Sequence, residues 1–252
     1  MTVRHDNLLV TWLGYATARV SGPDGNLVYT DPGRYGTLTG EWEDQYGGVP
    51  HPSGPPYNAQ DGDLVLITHD HHYDDDGVRR VASDEATVLV YEAVSSAGVK
   101  ENSGRDVDEP EDLPYDIRRV SDGDSLEVNG MEIEVIPAYN YPEGRNVDSD
   151  GTPIHPEGFG CGYRFTIDGT SCFWTGDTDV LDIHSDLDVS LFLPSIAQSF
   201  TMNQDEAAEL AGQLSPDLVL PIHYNTFPAL EADSRRFAAD VASMSVPVVL
   251  DE

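Results

Sequence analysis

The run Thr68-His69-Asp70-His71-His72-Tyr73-Asp74-Asp75-Asp76-Gly77 follows directly on the apolar stretch Leu64-Val65-Leu66-Ile67. A second run, Thr175-Gly176-Asp177-Thr178-Asp179, follows directly on Cys172-Phe173-Trp174. Short apolar segments of branched and aromatic residues bounded by polar ones read as buried strands. Each strand end therefore crowds imidazoles or carboxylates, the side chains that ligate metals. Residues two apart in an extended chain point the same way, so His69 and His71 present both imidazoles to one ion. Zn²⁺ accepts nitrogen at about 2.0 to 2.1 Å and in catalytic sites keeps one position open for water. A His-x-His pair alone is equally compatible with two solvated histidines at a strand end. Its company decides: Asp177 and His223 also follow apolar strands, and Asp74, Asp75 and Asp76 offer hard oxygen ligands to a second ion. For Asp75 a solvated loop is the simpler reading.

Around these runs the pattern is one of short strands. Residues 8–13, 17–20 and 27–30 alternate or cluster apolar side chains, with Ser21-Gly22-Pro23-Asp24-Gly25 as a turn. Segment 63–68 delivers the histidines, a helix is expected from about Gly77 to Ala82, and residues 88–91, 117–120, 125–128 and 131–136 read as further strands. The second half repeats the scheme with a hairpin (162–167 and 171–174, turned at Asp168-Gly169-Thr170) and strands 189–193, 218–222 and 246–250. Helical spacing is seen at 203–214, with Asp205 and Glu206 in the first turn where the helix dipole favours them, and at 232–244. Two sheet-rich halves, each closing in helices, predict an α/β four-layer αββα sandwich with the sheets inside. No long linker divides the chain, so residues 1–252 are read as one domain. Within it, the Gly/Pro/Tyr-rich stretch 33–60, which holds Trp42, Tyr46 and Tyr57, is read as a lid or active-site loop.

The charge says where such a site works. There are 46 acidic against 13 basic residues, with Lys100 the sole lysine, and the formal net charge is -33. Small domains usually carry a net charge of roughly 2 to 8 in magnitude, so self-repulsion is severe in dilute buffer. Molar salt cuts the Debye length to about 3 Å and mutes it, which points to a high-salt cytosol. Disorder is excluded, because 39% of residues are hydrophobic and fall in regular runs. A polyanionic surface argues against nucleic acid and membrane surfaces as partners; a small-molecule substrate is expected, and a homo-oligomer is left open. Residues 1–7 lack a basic start with an apolar stretch behind it, and nowhere do 18 apolar residues run together, so a cytoplasmic protein is expected. Cys161 and Cys172 lie at unequal distances from the hairpin turn and are read as free thiols.

The ordered motifs carry a resemblance. Trp12-Leu13-Gly14-Tyr15, Asp31-Pro32, the His-x-His, Pro137-Ala138-Tyr139-Asn140, His155-Pro156, Gly162-Tyr163, Thr175-Gly176-Asp177-Thr178-Asp179, Pro194, Met202 with Glu206-Ala207-Ala208, and Pro221-Ile222-His223-Tyr224 span nearly the whole chain. In that order they resemble the metallo-β-lactamase-fold hydrolases, and the sequence is similar in particular to small prokaryotic members like the ascorbate-6-phosphate lactonase-like proteins. The setting suggested by the charge is haloarchaeal. The resemblance implies an αββα sandwich with one or two metals held by a His-x-His-x-Asp-His run, a later His, a bridging Asp and a final His. Asp177 matches the bridging carboxylate and His223 the final His. The first run departs from the pattern. Read without a gap, Tyr73 replaces its Asp and Asp74 its last His. Read with His72 as an insertion, Tyr73-Asp74 matches a Tyr-Asp pair and Asp75 takes the last His position. Asp74 stays available either way. His155, in the His-Pro segment, is the choice for the third ligand of the first metal.

The implied activity is metal-dependent hydrolysis. His69, His71 and His155 hold one ion and Asp74, Asp177 and His223 surround a second, with Asp74 and Asp177 as the catalytic carboxylates. Zn²⁺ is expected, in one or two copies, with Mn²⁺, Fe²⁺ or Mg²⁺ admitted at the second position. An ester, lactone or phosphodiester is the expected substrate class. Arg34, Tyr35 and Arg145 carry positive charge or a phenol near the early turn and the later loop, and are the candidates for binding a substrate phosphate or carboxylate. His51 is placed outside the site, while His5 and His184 are read as surface residues. Gly158-x-Gly160-x-Gly162 lacks phosphate-loop spacing and is read as a turn. The competing reading is a non-catalytic metal-binding or interaction protein with a decayed site.

Overall fold

The computed structural model describes residues 1–41, 51–52 and 56–252. The first sheet has seven strands in chain order: β1 (Thr2–His5), β2 (Leu8–Gly14), β3 (Thr17–Ser21), β4 (Leu27–Thr30), β5 (Gly62–Ile67), β6 (Ala82–Tyr91) and β7 (Asp116–Val120). β1 to β4 form an antiparallel meander, and β4 to β7 run parallel. Burial follows that difference. β2 alternates buried and more exposed positions, whereas β4 is buried at every residue, as a parallel strand covered on both faces requires.

The second sheet has the order β13-β12-β11-β10-β9-β8, built from β8 (Ser125–Val128), β9 (Met131–Ala138), β10 (Gly160–Ile167), β11 (Thr170–Trp174), β12 (Leu191–Leu193) and β13 (Leu218–Val219). Its two hairpins turn on Asn129-Gly130 and Asp168-Gly169, whose φ angles are all positive (52°, 80°, 49° and 81°), the type I′ pattern that these pairs favour. Helices α1 (Asp75–Val81) and α2 (Ser96–Ser103) cross over between strands of the first sheet. Helix α3 (Gln204–Leu214) crosses from β12 to β13 and packs on α4 (Ser234–Ser243). The result is the expected αββα arrangement. Phe165, Phe173, Trp174 and Tyr163 are fully buried, each worth about 1.5 to 3 kcal/mol of apolar burial. Tyr163 also ties the sheets together, since its hydroxyl donates to the Ile67 carbonyl at 2.9 Å.

Several boundaries differ from expectation for local reasons. α1 starts at Asp75 because the Asp74 carboxylate accepts the Gly77 N–H and caps the helix. α2 has one buried residue, Val99, so no apolar stripe announces it. Residues 246–250 form only an isolated bridge, Val219 to Val248, instead of a strand. α3 is capped reciprocally: Asn203 Oδ1 accepts the N–H groups of Asp205 and Glu206, and Glu206 accepts the Asn203 N–H. Both cysteines are free and buried, and Cys172 pairs in register with Phe165, not Cys161. Of the expected lid, Trp42 and Tyr46 lie outside the described residues, and Tyr57 sits with its hydroxyl 2.7 Å from that of Tyr29. No helix among the described residues is long and apolar enough to cross a membrane.

Candidate metal centre

Five of the expected residues meet at one edge of the two sheets. The chain does not stay extended after β5: the N–H groups of His72 and Tyr73 both donate back to the His69 carbonyl, at 3.2 and 3.1 Å. That tight turn swings His69, His71 and His72 together. His155 enters from the loop between β9 and β10, pinned by its own N–H to Asn140 Oδ1 at 3.0 Å. Asp177 follows β11, and His223 follows β13. The His223 backbone is left-handed (φ 58°) and so is that of Tyr15 (φ 50°). The two are joined by His223 N–H to the Tyr15 carbonyl at 2.9 Å, with their rings 4.5 Å apart.

Asp177 divides the cluster in two. Its Oδ2 lies 3.7 Å from His69 Nε2 and 3.7 Å from His155 Nε2. Its Oδ1 lies 3.6 Å from His72 Nε2 and 3.5 Å from His223 Nε2. Within the halves, His71 Nδ1 is 3.0 Å from His155 Nε2, and His72 Nε2 is 3.1 Å from His223 Nε2. Two nitrogens bound tetrahedrally to one ion at about 2.0 to 2.1 Å stand roughly 3.3 Å apart, so both halves are close to ligating geometry.

The surrounding hydrogen bonds assign the tautomers. His155 Nδ1 faces two acceptors, Asn140 Oδ1 and the Phe200 carbonyl, each at 3.1 Å, so it carries the proton and leaves Nε2 bare. Thr68 Oγ1 gives its hydrogen to Asp31 Oδ2 at 2.8 Å and therefore accepts from His69 Nδ1 at 2.9 Å. Thr201 Oγ1 donates to the Met202 carbonyl, Ser195 Oγ donates to Thr201 Oγ1, and His223 Nδ1 donates to Ser195 Oγ at 3.2 Å. Bare nitrogens thus converge on the Asp177 carboxylate. His69 Nε2 and Asp177 Oδ1 are buried without any hydrogen-bond partner. Imidazole lone pairs converging on a buried carboxylate are a cradle for a cation, and the donor set fits a divalent metal.

Burial dominates the electrostatics. It drives His69, His72, His155 and His223 well below the usual imidazole range and His71 down to about 4, so the rings are neutral, the form that ligates. Burial, helped by the Asp31 carboxylate, pushes Asp177 well above the carboxylate range. Asp31 rises to about 7 by burial, against the lowering effect of the Thr68 and Trp174 donors.

Other expected residues fall elsewhere. Asp74 is not brought to the cluster: its Oδ1 accepts the Gly77 N–H at 3.0 Å and its Oδ2 the Arg34 N–H at 2.9 Å. An Asp so placed is a strong helix cap, and the turn at His69 carries it outward. Arg34 and Tyr35 do reach the site, walling a cavity of about 540 Å³ together with Tyr15, Phe200 and Phe227, onto which His71, His155, Asp177 and His223 open. Arg145 does not line it. Arg145 binds Glu206 at 2.8 Å and donates to the carbonyls of Gln198 and Thr201, bracing the loop that carries Phe200. His51 packs against Trp12 and Tyr224, outside the cluster. His5 and His184 are buried, not on the surface. His184 accepts the Leu181 N–H at Nδ1 (3.2 Å) and donates from Nε2 to the Pro137 carbonyl (3.1 Å). The residue that sequence reasoning left without a role is His72; its signal was the third histidine in four residues, legible only with the turn.

A family model for the β-lactamase superfamily domain matches residues 9–223. A UPF0173 metal-dependent hydrolase of Methanopyrus kandleri is 30% identical over 249 residues, covering 95% of this chain and 94% of that protein. The chain belongs to the β-lactamase superfamily and, within it, to the UPF0173 metal-dependent hydrolases; it is a metal-dependent hydrolase. The fold is similar to that of a Parabacteroides distasonis protein (TM-score 0.66, 20% identity, 99% of this chain and 96% of that one). It is also similar to Igni18, a metallo hydrolase of Ignicoccus hospitalis (TM-score 0.65, 21% identity, 97% and 95%). No resemblance specific to ascorbate-6-phosphate lactonase emerges from these relatives.

Proposed function

We propose that this hydrolase cleaves an ester, lactone or phosphodiester in a small anionic molecule, with zinc-type ions in the His/Asp cradle. The observation that carries the reading is Arg34. Its guanidinium, in a chain of formal charge -33, lies on the cavity wall, with Nε donating to the His71 carbonyl at 3.1 Å and its centre 4.0 Å from the Tyr35 ring. A cation held beside the ligand histidines recognises phosphate or carboxylate and turns the scissile group toward them. Tyr15, Phe200 and Phe227 supply aromatic walls whose low polarity strengthens that charge interaction.

His69, His71 and His155 with Asp177 are the residues that would hold an ion, and their imidazole-rich set suits zinc better than magnesium. When bound, such an ion polarises the scissile group and lowers the pKa of water from 15.7 toward about 7. Asp177 sits between the two halves and fixes their separation. The acidic surface supports a high-salt cytoplasm as the setting.

The test compares anionic and neutral esters with Arg34→Ala. Loss of a hydrogen bond to a charged group, about 1.5 to 3 kcal/mol, predicts KM raised about 10-fold or more for the anionic substrate alone. Equal effects on neutral and anionic substrates would overturn the reading.

A further inference from the structure

We infer that His72, and not Asp74, completes the second half of the centre, so that a second divalent cation is held by His72 Nε2, His223 Nε2 and Asp177 Oδ1. The inference is independent of the substrate class, because ion binding and turnover are measured separately.

The argument is one of hydrogen positions. His72 Nδ1 lies 3.1 Å from Asp31 Oδ2. That carboxylate is itself fixed by the Thr68 N–H on Oδ1 and by the Trp174 indole N–H on Oδ2, each at 2.8 Å. A carboxylate so placed accepts the hydrogen bond of His72 Nδ1–H, keeps the ring proton at Nδ1 and leaves Nε2 as a lone pair. The Ser195–Thr201–Met202 relay does the same for His223. Two bare nitrogens 3.1 Å apart therefore face Asp177 Oδ1, a buried oxygen without a partner. Three mutually repelling acceptors, each ring locked in orientation by a group behind it, are the arrangement of a metal site whose outer partners set ligand direction.

Asp74 cannot serve here, since both of its oxygens are committed to backbone N–H groups at the head of α1. The change of ligand has a chemical consequence. A position with two imidazoles and one shared carboxylate oxygen favours zinc, cobalt or iron over the hard, oxygen-seeking magnesium. Asp31 is the positioning residue: it touches no ion, but it aims His72.

The test is ion stoichiometry on the full chain, dialysed against Zn²⁺ in molar KCl and counted by elemental mass spectrometry, with Co²⁺ absorption as a second readout. Two ions per wild-type chain, one in His72→Ala and His72→Gln, and two in Asp74→Ala are expected. Asp31→Asn should keep both ions but weaken the second by about 10- to 100-fold. The single ion retained by the His72 variants reports that they have folded. One ion in wild type and one in His72→Ala, or loss of an ion in Asp74→Ala, would overturn the assignment while leaving the hydrolase reading intact. No ion in wild type would overturn both.

Discussion

Asp31 and Trp174 stand at the ends of β4 and β11, in different sheets, and the indole N–H of Trp174 donates to Asp31 Oδ2 at 2.8 Å. This bond clamps the sheets at the edge where the ligands gather. Trp174→Phe deprives a fully buried carboxylate of one donor, which costs about 1 to 3 kcal/mol. The expected result is a lower urea midpoint together with weaker uptake of the ion nearest His72. Unchanged stability and unchanged zinc affinity would mean that the bond merely accompanies the packing.

Chelation gives the next expectation. A ligand present at 100 times its Kd stabilises the folded state by about 2.7 kcal/mol, so stripping the metal should lower Tm by several degrees. His69→Ala and His155→Ala remove ligands of the first half, and their Tm should respond less to chelator than that of wild type.

His184 predicts an acid limb in stability. Burial depresses it to about 4, while an unfolded histidine titrates near 6.5. Between those values the unfolded chain binds a proton that the folded chain refuses. The contribution is therefore complete above pH 6.5 and is lost as pH falls toward 4, by about 3 kcal/mol in all. In the metal-loaded protein, His184→Phe should flatten the urea-midpoint profile across that window; an identical slope in wild type and variant would rule His184 out as its source.

Arg145→Ala separates bracing from recognition. Its partners Glu206, Gln198 and Thr201 lie on α3 and the loop before it, and the side chain is partly exposed. A loss of about 1 kcal/mol is expected in denaturation, with KM for an anionic substrate nearly unchanged. A KM increase as large as that of Arg34→Ala would return Arg145 to substrate binding.

Salt should act oppositely to its effect on most proteins held by ion pairs. Screening weakens the repulsion of a -33 surface, so Tm should climb steadily from 0.1 to 1 M KCl. A flat profile would remove the argument for a high-salt setting.

The αββα architecture was legible because its strands announce themselves through apolar runs and through the Asp168-Gly169 turn. His69, His71, His155, Asp177 and His223 were legible as strand-end and motif residues. His72 lies inside the cluster and Asp74 outside it because the chain turns there through two backbone bonds to the His69 carbonyl, which no side-chain period records. Arg145 was misplaced for a related reason: charge shows in a sequence, but the carbonyls that absorb it do not. His184 was hidden because both ring nitrogens are satisfied by backbone groups brought near only in the fold.

The Tyr15 carbonyl accepts both the Trp12 indole N–H at 2.7 Å and the His223 N–H at 2.9 Å, and Tyr15 and His223 hold left-handed backbones that cost about 1 to 3 kcal/mol each unless their surroundings enforce them. A nascent chain emerging from the ribosome makes position 15 early and position 223 late. Until the latter emerges, the cradle lacks its last imidazole, and the Tyr15 carbonyl is held from its own neighbourhood by the Trp12 indole N–H. Full metal loading therefore requires a molecule whose synthesis has passed residue 223, because the last imidazole of the cradle is made late.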